Sequence, residues 1–309
     1  MHAMEIVKTA DLEHVLARVL AAAGHASLAP AAQIRVMRQT IDEGNLPWSA
    51  WCCRRGDRET ALALILHLPG DTALLMLPEP GTAGIRAADQ RTLVAAALDQ
   101  AGHQQLYYTH ALVEPDARRK QKCLADNAFR RLADLVYMDR GVRSPVARGV
   151  AGDAALTWVA YGEQTHELFC RIVEATYTDS LDCPELLGLR PIEAVIASHK
   201  AAGRFEPSLW EIVCVGGEPA GCILSAPLIG LPTLEVVYMG VVPSWRRRGM
   251  GGVLLERSLM HAQAAGVRQQ TIVVDARNTP ARQLYVRAGF RPVAQRRAWI
   301  RLGGRCGGT

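Results

Sequence analysis

The stretch LEVVYMGVVPSWRRRGMGGVLL, residues 234–255, joins a strand pattern to a helix pattern through a loop rich in arginine and glycine. Residues Leu234–Val242 are mainly apolar and β-branched, which predicts a strand, and Pro243 ends it because proline donates no hydrogen bond to a sheet. Apolar residues at helical spacing then predict a helix over Gly251–Ala265, with Gly266 after its last turn. A strand that passes into a helix through so short a loop predicts an α/β fold.

The loop Arg246–Gly252 has the composition of an anion-binding site. Gly249 and Gly251 carry no side chain, so a ligand reaches the backbone there. The first turn of a helix also offers free N–H groups and the positive end of the helix dipole. The loop is not a Walker loop, since no Gly-Lys-Ser/Thr follows, and GxGxxG is absent as well. It therefore predicts a phosphate-bearing ligand of another class.

The pattern around this stretch predicts alternating helices and strands in the second half of the chain. The remaining predicted elements are helices His166–Thr176 and Pro191–Ala202, a hairpin of Leu209–Val215 and Ala220–Pro227, a strand Gln270–Val274, a helix Thr279–Ala288 and a strand Pro292–Arg301. The order ααβββαβαβ predicts a mixed sheet with helices on its faces.

The first half repeats this pattern at an offset of 161 residues. Ala73–Leu77 falls on Leu234–Tyr238, and the later anchors agree in order without a gap. The repeat predicts two tandem copies of one fold, with chance similarity of two α/β domains as the alternative. Glycine and proline near residues 141–153 predict the junction. We therefore expect domains at 1–145 and 154–303.

Two motifs in the second half resemble the GCN5-related N-acetyltransferases (the GNAT family). Residues 234–255 resemble motif A, in which an Arg/Gln-x-x-Gly-x-Gly/Ala loop holds the pyrophosphate of acetyl-CoA. The stretch DARNTPARQLYVRAGF, residues 275–290, resembles the family's Asn…Leu-Tyr…Gly-Phe signature. The resemblance spans about residues 154–303. It implies a mixed, mostly antiparallel sheet flanked by helices, and transfer of acetyl from acetyl-CoA to a primary amine by direct attack in a ternary complex, without a metal.

The resemblance also implies catalytic roles for two residues. Tyr285 aligns with the tyrosine that protonates the departing CoA sulfur, and a core tyrosine on an amphipathic helix is the alternative. Glu235 stands 14 residues before Gly249, the spacing of the general-base glutamate in some family members. A strand carboxylate that only attracts a cationic amine is the alternative for Glu235.

The cofactor contacts implied by the resemblance lie mostly on backbone groups. Val241 falls where the strand N–H polarises the acetyl carbonyl and pairs with pantetheine, and Gly240 beside it is compatible with a bulge. Asn278 matches the asparagine that contacts the CoA arm, and it could equally cap the next helix. The full predicted set is Val241, Val242, Arg246, Arg247, Arg248, Gly249, Met250, Gly251, Gly252 and Asn278.

The first copy lacks these parts. At the same offset Arg246 falls on Ile85, Gly251 on Gln90 and Tyr285 on Leu124. We therefore expect a degenerate GNAT-like domain without turnover in the first half and the chemistry in the second.

Charge and cysteine content limit the remaining classes of protein and ligand. The net charge of +5 conceals a balance of −8 over residues 151–241 and +11 over residues 242–309, where all 13 basic residues are arginine. This pattern favours an anionic cofactor beside the basic segment and a cationic amine beside the acidic one. Eight cysteines without CxxC or zinc-ligand spacing predict reduced thiols in a cytoplasmic protein. No apolar run approaches the roughly 20 residues of a membrane span.

Other functions stay open at this level. A non-catalytic acyl-CoA sensor would keep the loop without the acid, and a protein N-terminal or lysine acetyltransferase would use the same chemistry on a larger acceptor. Nucleic-acid binding is disfavoured because Trp299 is the single aromatic residue after Phe290 and no stacking platform is apparent. Oligomeric state is not determined by the sequence.

Overall fold

The structure is a computed structural model and describes residues 3–21, 29–82, 84–143 and 156–307. The predicted junction at 141–153 lies largely outside these ranges. The chain divides into two compact units, residues 1–134 with 295–309, and residues 135–294.

The first unit is a sheet with helices on both faces. Its elements are β1 (Glu5–Thr9), α1 (Leu12–Leu20), α2 (Pro30–Glu43), β2 (Trp48–Arg55), β3 (Arg58–Leu68), β4 (Thr72–Met76), α3 (Ala87–Gln100), β5 (Tyr108–Val113), α4 (Arg118–Asp126) and the start of β6 (Arg130–Gly141). Apolar side chains of α1 and α2 cover one face and those of α3 and α4 cover the other. β3 is therefore almost wholly buried, as expected for a strand with helices on both sides.

The second unit has the same architecture. Its elements are β7 (Leu156–Ala160), α5 (His166–Thr176), α6 (Ile192–Lys200), β8 (Trp210–Val215), β9 (Glu218–Pro227), β10 (Thr233–Val241), α7 (Met250–Ala264), β11 (Gln269–Asp275), α8 (Thr279–Arg287) and β12 (Arg291–Leu302). Helices α7 and α8 cover one face of the sheet, and α5 and α6 cover the other. The predicted elements are confirmed to within about two residues. The short strand β7 was not predicted.

Each sheet is mixed and mostly antiparallel. The strand orders are β1-β2-β3-β4-β5-β12 and β6-β11-β10-β9-β8-β7. The pairs β4–β5 and β10–β11 are parallel. The offset of 161 carries α4 onto α8 and β6 onto β12. The predicted mixed α/β class and the predicted repeat of one architecture are confirmed.

The last strand of each half of the sequence belongs to the sheet of the other half. β6 ends the first half and pairs in the sheet of the second unit, and β12 ends the second half and pairs in the sheet of the first unit. Residues 135–141 of β6 pair antiparallel with β11, and residues 297–302 of β12 pair antiparallel with β5. The compact units therefore differ from the predicted ranges 1–145 and 154–303 by an exchange of strands. An offset comparison cannot detect this exchange, because the two strands have equivalent positions in the repeat.

Two expectations from composition concern the cysteines, predicted to be reduced thiols, and the absence of a membrane span. The seven cysteines whose side chains are described are free thiols, and six of them are buried. Among the described residues, no helix has both the length and the apolar character needed to cross a bilayer.

Candidate active site

A split between two neighbouring strands is the main feature of the second unit. β10 and β11 pair from Thr233–Gln269 as far as Val236–Ile272, and the pairing ends there. On its other edge β10 stays paired with β9 to Val241, but the register shifts between Val236 and Tyr238. The extra residue, Val237, forms a β-bulge that bends β10 away from β11. The sequence was compatible with a bulge at Gly240, and the bulge lies three residues before that position.

The split exposes backbone groups of β10. Val242 donates its N–H to the carbonyl of Ala220 on β9 at 3.1 Å. Successive residues of a strand direct their N–H groups to opposite edges. The N–H of Val241 therefore points to the edge from which β11 has separated. Val242 itself is buried.

The loop that follows β10 ends in a set of unpaired donors. The backbone N–H groups of Arg247, Arg248, Gly249, Met250 and Gly251 have no acceptor among the residues that the structure describes. Arg247 and Gly249 both have positive φ, +61° and +83°. Alternation of this kind turns consecutive N–H groups toward a common point, which is the geometry of an anion nest at a helix N-terminus.

The arginines of this loop divide into two kinds. Arg246 faces inward: its guanidinium donates to the carbonyl oxygens of Val241 at 3.0 Å, Thr176 at 3.0 Å and Thr178 at 2.6 Å. Through Nε and Nη2 it therefore ties the end of α5 to the loop. Arg247 and Arg248 are exposed, and Arg248 stacks over Trp245 at 5.0 Å.

Gly251 is required by the packing of two helices. A Cβ atom at this position would lie 2.7 Å from Cδ2 of Leu284 on α8. Gly251 thus allows the first turn of α7 to pack against α8. Gly252 follows in the same turn and donates its N–H to Gly249 at 2.9 Å.

Glu235 is the last polar side chain before the split. Leu234 and Val236 pack toward α7, so the alternation of the strand directs Glu235 to the opposite face, where α5 and α6 lie. The side chain is half-buried, and no cation or hydrogen-bond donor in the described part of the chain is paired with it. Burial raises the pKa of its carboxyl to about 7.

Tyr285 approaches the split from the other face. It lies on α8, is 6% exposed, and belongs to the cluster that includes Val236, Ile272 and Val274. Burial, and secondarily the Asp182 carboxylate, raises the pKa of its phenol well above its usual value. Glu235 and Tyr285 therefore lie on opposite faces of the sheet.

Asn278 is a helix cap in this structure. Its side-chain oxygen accepts the N–H of Ala281 at 3.2 Å, so it forms the N-cap of α8. The alternative that the sequence left open is thus the contact observed. Any role toward a ligand would use the remaining groups of the side chain.

Sequence reasoning missed the part of the site that comes from the α5–α6 connection. The N–H of Asp275, at the end of β11, donates to Asp182 at 2.8 Å, and the N–H of Cys183 donates to Asp275 at 3.3 Å. Arg277 then bridges Asp275 and Glu185, each at 2.6 Å. This network anchors the α5–α6 connection to the end of β11, beside the split. The negative net charge of residues 151–241 was the one feature of the sequence that pointed to this network.

On the α5 side, Tyr238 closes the wall of the split. Its hydroxyl lies 2.6 Å from Oγ1 of Thr176, and its ring packs on Tyr177 and His199. Burial raises the pKa of Tyr238 and lowers that of His199 to about 4, so both are neutral near pH 7. Gly240 has no side chain because a Cβ atom there would collide with Thr176.

Comparison with known proteins agrees with this geometry. Residues 173–290 match the family model described as "Acetyltransferase (GNAT) family". The mycothiol acetyltransferase of Beutenbergia cavernae is 37% identical over 93 residues, which are 29% of this chain and 31% of that protein. The mycothiol acetyltransferase of Thermobifida fusca is 43% identical over 61 residues, 20% of this chain and 19% of that protein. The chain thus spans less than a third of the length of the curated relatives it matches.

Solved structures support the fold over nearly the whole chain. A GCN5-related N-acetyltransferase from Sphaerobacter thermophilus superposes with a TM-score of 0.62 at 17% identity, covering 96% of this chain and 95% of that one. A tandem GNAT protein from the clavulanic acid biosynthesis pathway gives a TM-score of 0.52 at 16% identity, covering 99% and 100%. The tandem arrangement of two similar domains, which the sequence repeat predicts, is thus found among solved GNAT proteins. Residues 173–290 are therefore similar to domains of the acetyltransferase (GNAT) family, and nearly the whole chain has a fold found in solved GNAT proteins.

Proposed function

We propose that this chain transfers an acetyl group from acetyl-CoA to a primary amine, and that the amine attacks the thioester directly while both substrates are bound. The observation that carries the proposal is the run of five unpaired N–H groups, Arg247 to Gly251, beside a split in the sheet. Backbone donors at a helix N-terminus suit a pyrophosphate, and a parted pair of strands leaves a free edge for an amide-bearing arm.

The loop residues fit acetyl-CoA by charge and shape. The exposed guanidinium groups of Arg247 and Arg248 complement phosphate, and Gly249, which has no side chain, is itself exposed. The N–H of Val241 is directed into the split, where it would polarise the acetyl carbonyl. Acetyl-CoA is the acyl donor in this proposal and no resident cofactor takes part.

The two titratable groups divide the proton transfers between them. A carboxyl with a pKa near 7 is partly ionised at neutral pH, so Glu235 accepts the proton of the acceptor ammonium directly or through water. Tyr285 keeps its phenol proton at neutral pH and donates it to the departing thiolate. Because the groups lie on opposite faces of the sheet, the amine enters from the α5–α6 side and the sulfur leaves toward α8.

The α5–α6 side, from which we propose that the acceptor amine enters, belongs to the negatively charged part of the domain. Asp182, Glu185 and Glu235 all belong to the segment with a balance of −8. This charge favours a cationic amine. The names of the curated relatives make the acceptor of mycothiol acetyltransferases the first small molecule to test.

The test is release of free CoA from acetyl-CoA across a panel of amines that includes this acceptor, peptides with free N-termini, and lysine peptides. Turnover with a small amine supports the proposal. Binding of acetyl-CoA without turnover on any amine would instead establish an acyl-CoA sensor, and turnover on peptides alone would establish a protein acetyltransferase.

A charge reversal tests the cofactor site separately. The variant Arg247→Glu/Arg248→Glu should weaken acetyl-CoA binding about tenfold or more, because each lost charged hydrogen bond is worth about 1.5–3 kcal/mol. Arg268→Glu, an exposed arginine beyond the end of α7, is the control. Equal affinity in the two variants would remove the loop from the cofactor site.

A further inference from the structure

A second cluster of reactive side chains lies on α5 and α6, outside the split. His166 and Cys170 are one turn apart on α5, so they share a face of that helix, and Glu193 faces them from the first turn of α6. Among the described residues, these three form one group of possible ligands whose donor atoms all lie within 4.8 Å of one another.

The distances between the donor atoms match a tetrahedral zinc centre. Sγ of Cys170 lies 3.6 Å from Nε2 of His166 and 3.5 Å from Oε1 of Glu193. Zinc bonds of about 2.3 Å to sulfur and about 2.0–2.2 Å to nitrogen and oxygen, at tetrahedral angles, place such pairs about 3.6 Å apart. Nε2 of His166 and Oε2 of Glu193 are closer, at 2.9 Å, because a hydrogen bond joins them.

The outer contacts of His166 are those of a metal ligand. The hydroxyl of Tyr161 lies 2.7 Å from Nδ1 of His166. Zinc-bound histidines use their second ring nitrogen for a hydrogen bond that fixes the tautomer. The ring of Tyr161 is held edge-on by Phe169, Phe205 and Trp210, with centroids 5.1–5.6 Å away. The hydroxyl therefore has a fixed position.

The charges also balance. One thiolate and one carboxylate neutralise a divalent cation, and the nearby Lys200 ammonium is stacked on Tyr161 at 4.7 Å instead of pairing with Glu193. A sulfur, a nitrogen and an oxygen donor suit zinc, whereas magnesium and calcium require oxygen ligands.

We propose that His166, Cys170 and Glu193 bind a zinc ion that fastens α5 to α6, with water as the fourth ligand. On binding, Sγ of Cys170 loses its proton to solvent and forms the metal–sulfur bond. The proton on Nε2 of His166 moves to Nδ1, and the Tyr161 hydroxyl then accepts a hydrogen bond from Nδ1. One proton is released for each metal ion bound.

The test is titration of the metal-free protein, residues 1–309, with Co²⁺ and then Zn²⁺. We expect one equivalent of Co²⁺ to produce a thiolate-to-cobalt absorption band with the intense visible bands of a tetrahedral site, both lost on adding Zn²⁺. Cys170→Ser should lack the thiolate band. Cys214→Ser, which removes another buried thiol of the same core cluster, should keep it.

Two variants keep the test valid if Cys170→Ser does not fold. Glu193 is exposed, so Glu193→Gln should fold normally, and it should bind zinc at least about tenfold more weakly because a ligand is lost. Tyr161→Phe keeps the ring and removes the hydroxyl, and it should weaken binding about 10- to 100-fold. The proposal is wrong if the wild type shows no thiolate band, or if Cys170→Ser binds Co²⁺ as the wild type does.

Discussion

Replacing Glu235 with glutamine removes a carboxyl that the fold partly shields from water at the strand split. The pKa of this group is about 7 in the folded chain against an ordinary value of 4.5. Below pH 4.5 the group is protonated in the folded and unfolded states alike, so its burial does not make the free energy of unfolding depend on pH. Between pH 4.5 and 7 the unfolded chain releases the proton while the folded chain retains it, so the free energy of unfolding of the wild type falls over this range and is level above it.

The size of this effect follows from the two pKa values. One pKa unit corresponds to about 1.4 kcal/mol, so a difference of about 2.5 units between 4.5 and about 7 lowers the stability between acid and neutral pH by at most about 3.5 kcal/mol. Glutamine does not titrate. We therefore expect Glu235→Gln to become more stable than the wild type as the pH rises, by up to this amount. If Glu235 is the base, the same variant loses about 10²- to 10⁴-fold in turnover.

Urea unfolding of both proteins at about pH 5 and about pH 8 measures the first quantity, and the pH profile of kcat/KM measures the second. Glu218→Gln is the matched control, since Glu218 is an exposed glutamate at the β8–β9 hairpin. The reasoning fails if the stability difference between wild type and Glu235→Gln is the same at both pH values. A wild-type profile without an inflection near pH 7 would remove Glu235 from the proton transfer.

Three further outcomes are expected. Tyr285→Phe should lower turnover about 10²- to 10⁴-fold and leave the Kd for acetyl-CoA unchanged in calorimetry; an unchanged rate would exclude the phenol as the acid. Gly251→Ala should weaken acetyl-CoA binding, and Leu284→Ala in the same chain should restore it, because the new Cβ atom lies 2.7 Å from that leucine; failure of the rescue would show that the loop itself excludes a side chain. A fragment of residues 154–303 should aggregate in size-exclusion chromatography, since β11 lacks its partner 135–141 and presents an open edge; a soluble, folded monomer would contradict this.

Local patterns predicted most of the second unit. Helix α5 follows from apolar spacing, and the strand β10 from a run ended by Pro243, because both signals depend only on neighbouring residues. The Gly249–Gly251 loop was also predicted as an anion site; its backbone N–H groups have no acceptor in the described part of the chain, and anion binding there stays a prediction.

What the sequence did not predict depends on contacts between distant residues. Arg246 was expected among the phosphate ligands, but its donors are directed to Thr176 and Thr178, which nothing in the motif indicates. The group of His166, Cys170 and Glu193 escaped a search for zinc spacing because its third member comes from another helix. Such contacts are set by how α5 and α6 pack, and no local periodicity encodes that.

The exchange of β6 and β12 has a consequence for how the chain is made. During synthesis the first unit emerges from the ribosome with β5 lacking its partner, and that partner, residues 297–302, is translated nearly 200 residues later. The second unit needs residues 135–294 and is complete earlier. The first unit therefore cannot complete its sheet until almost the whole chain has been translated, whereas N-terminal domains of multidomain proteins usually fold first. Until then the edge of β5 must be protected from other nascent chains.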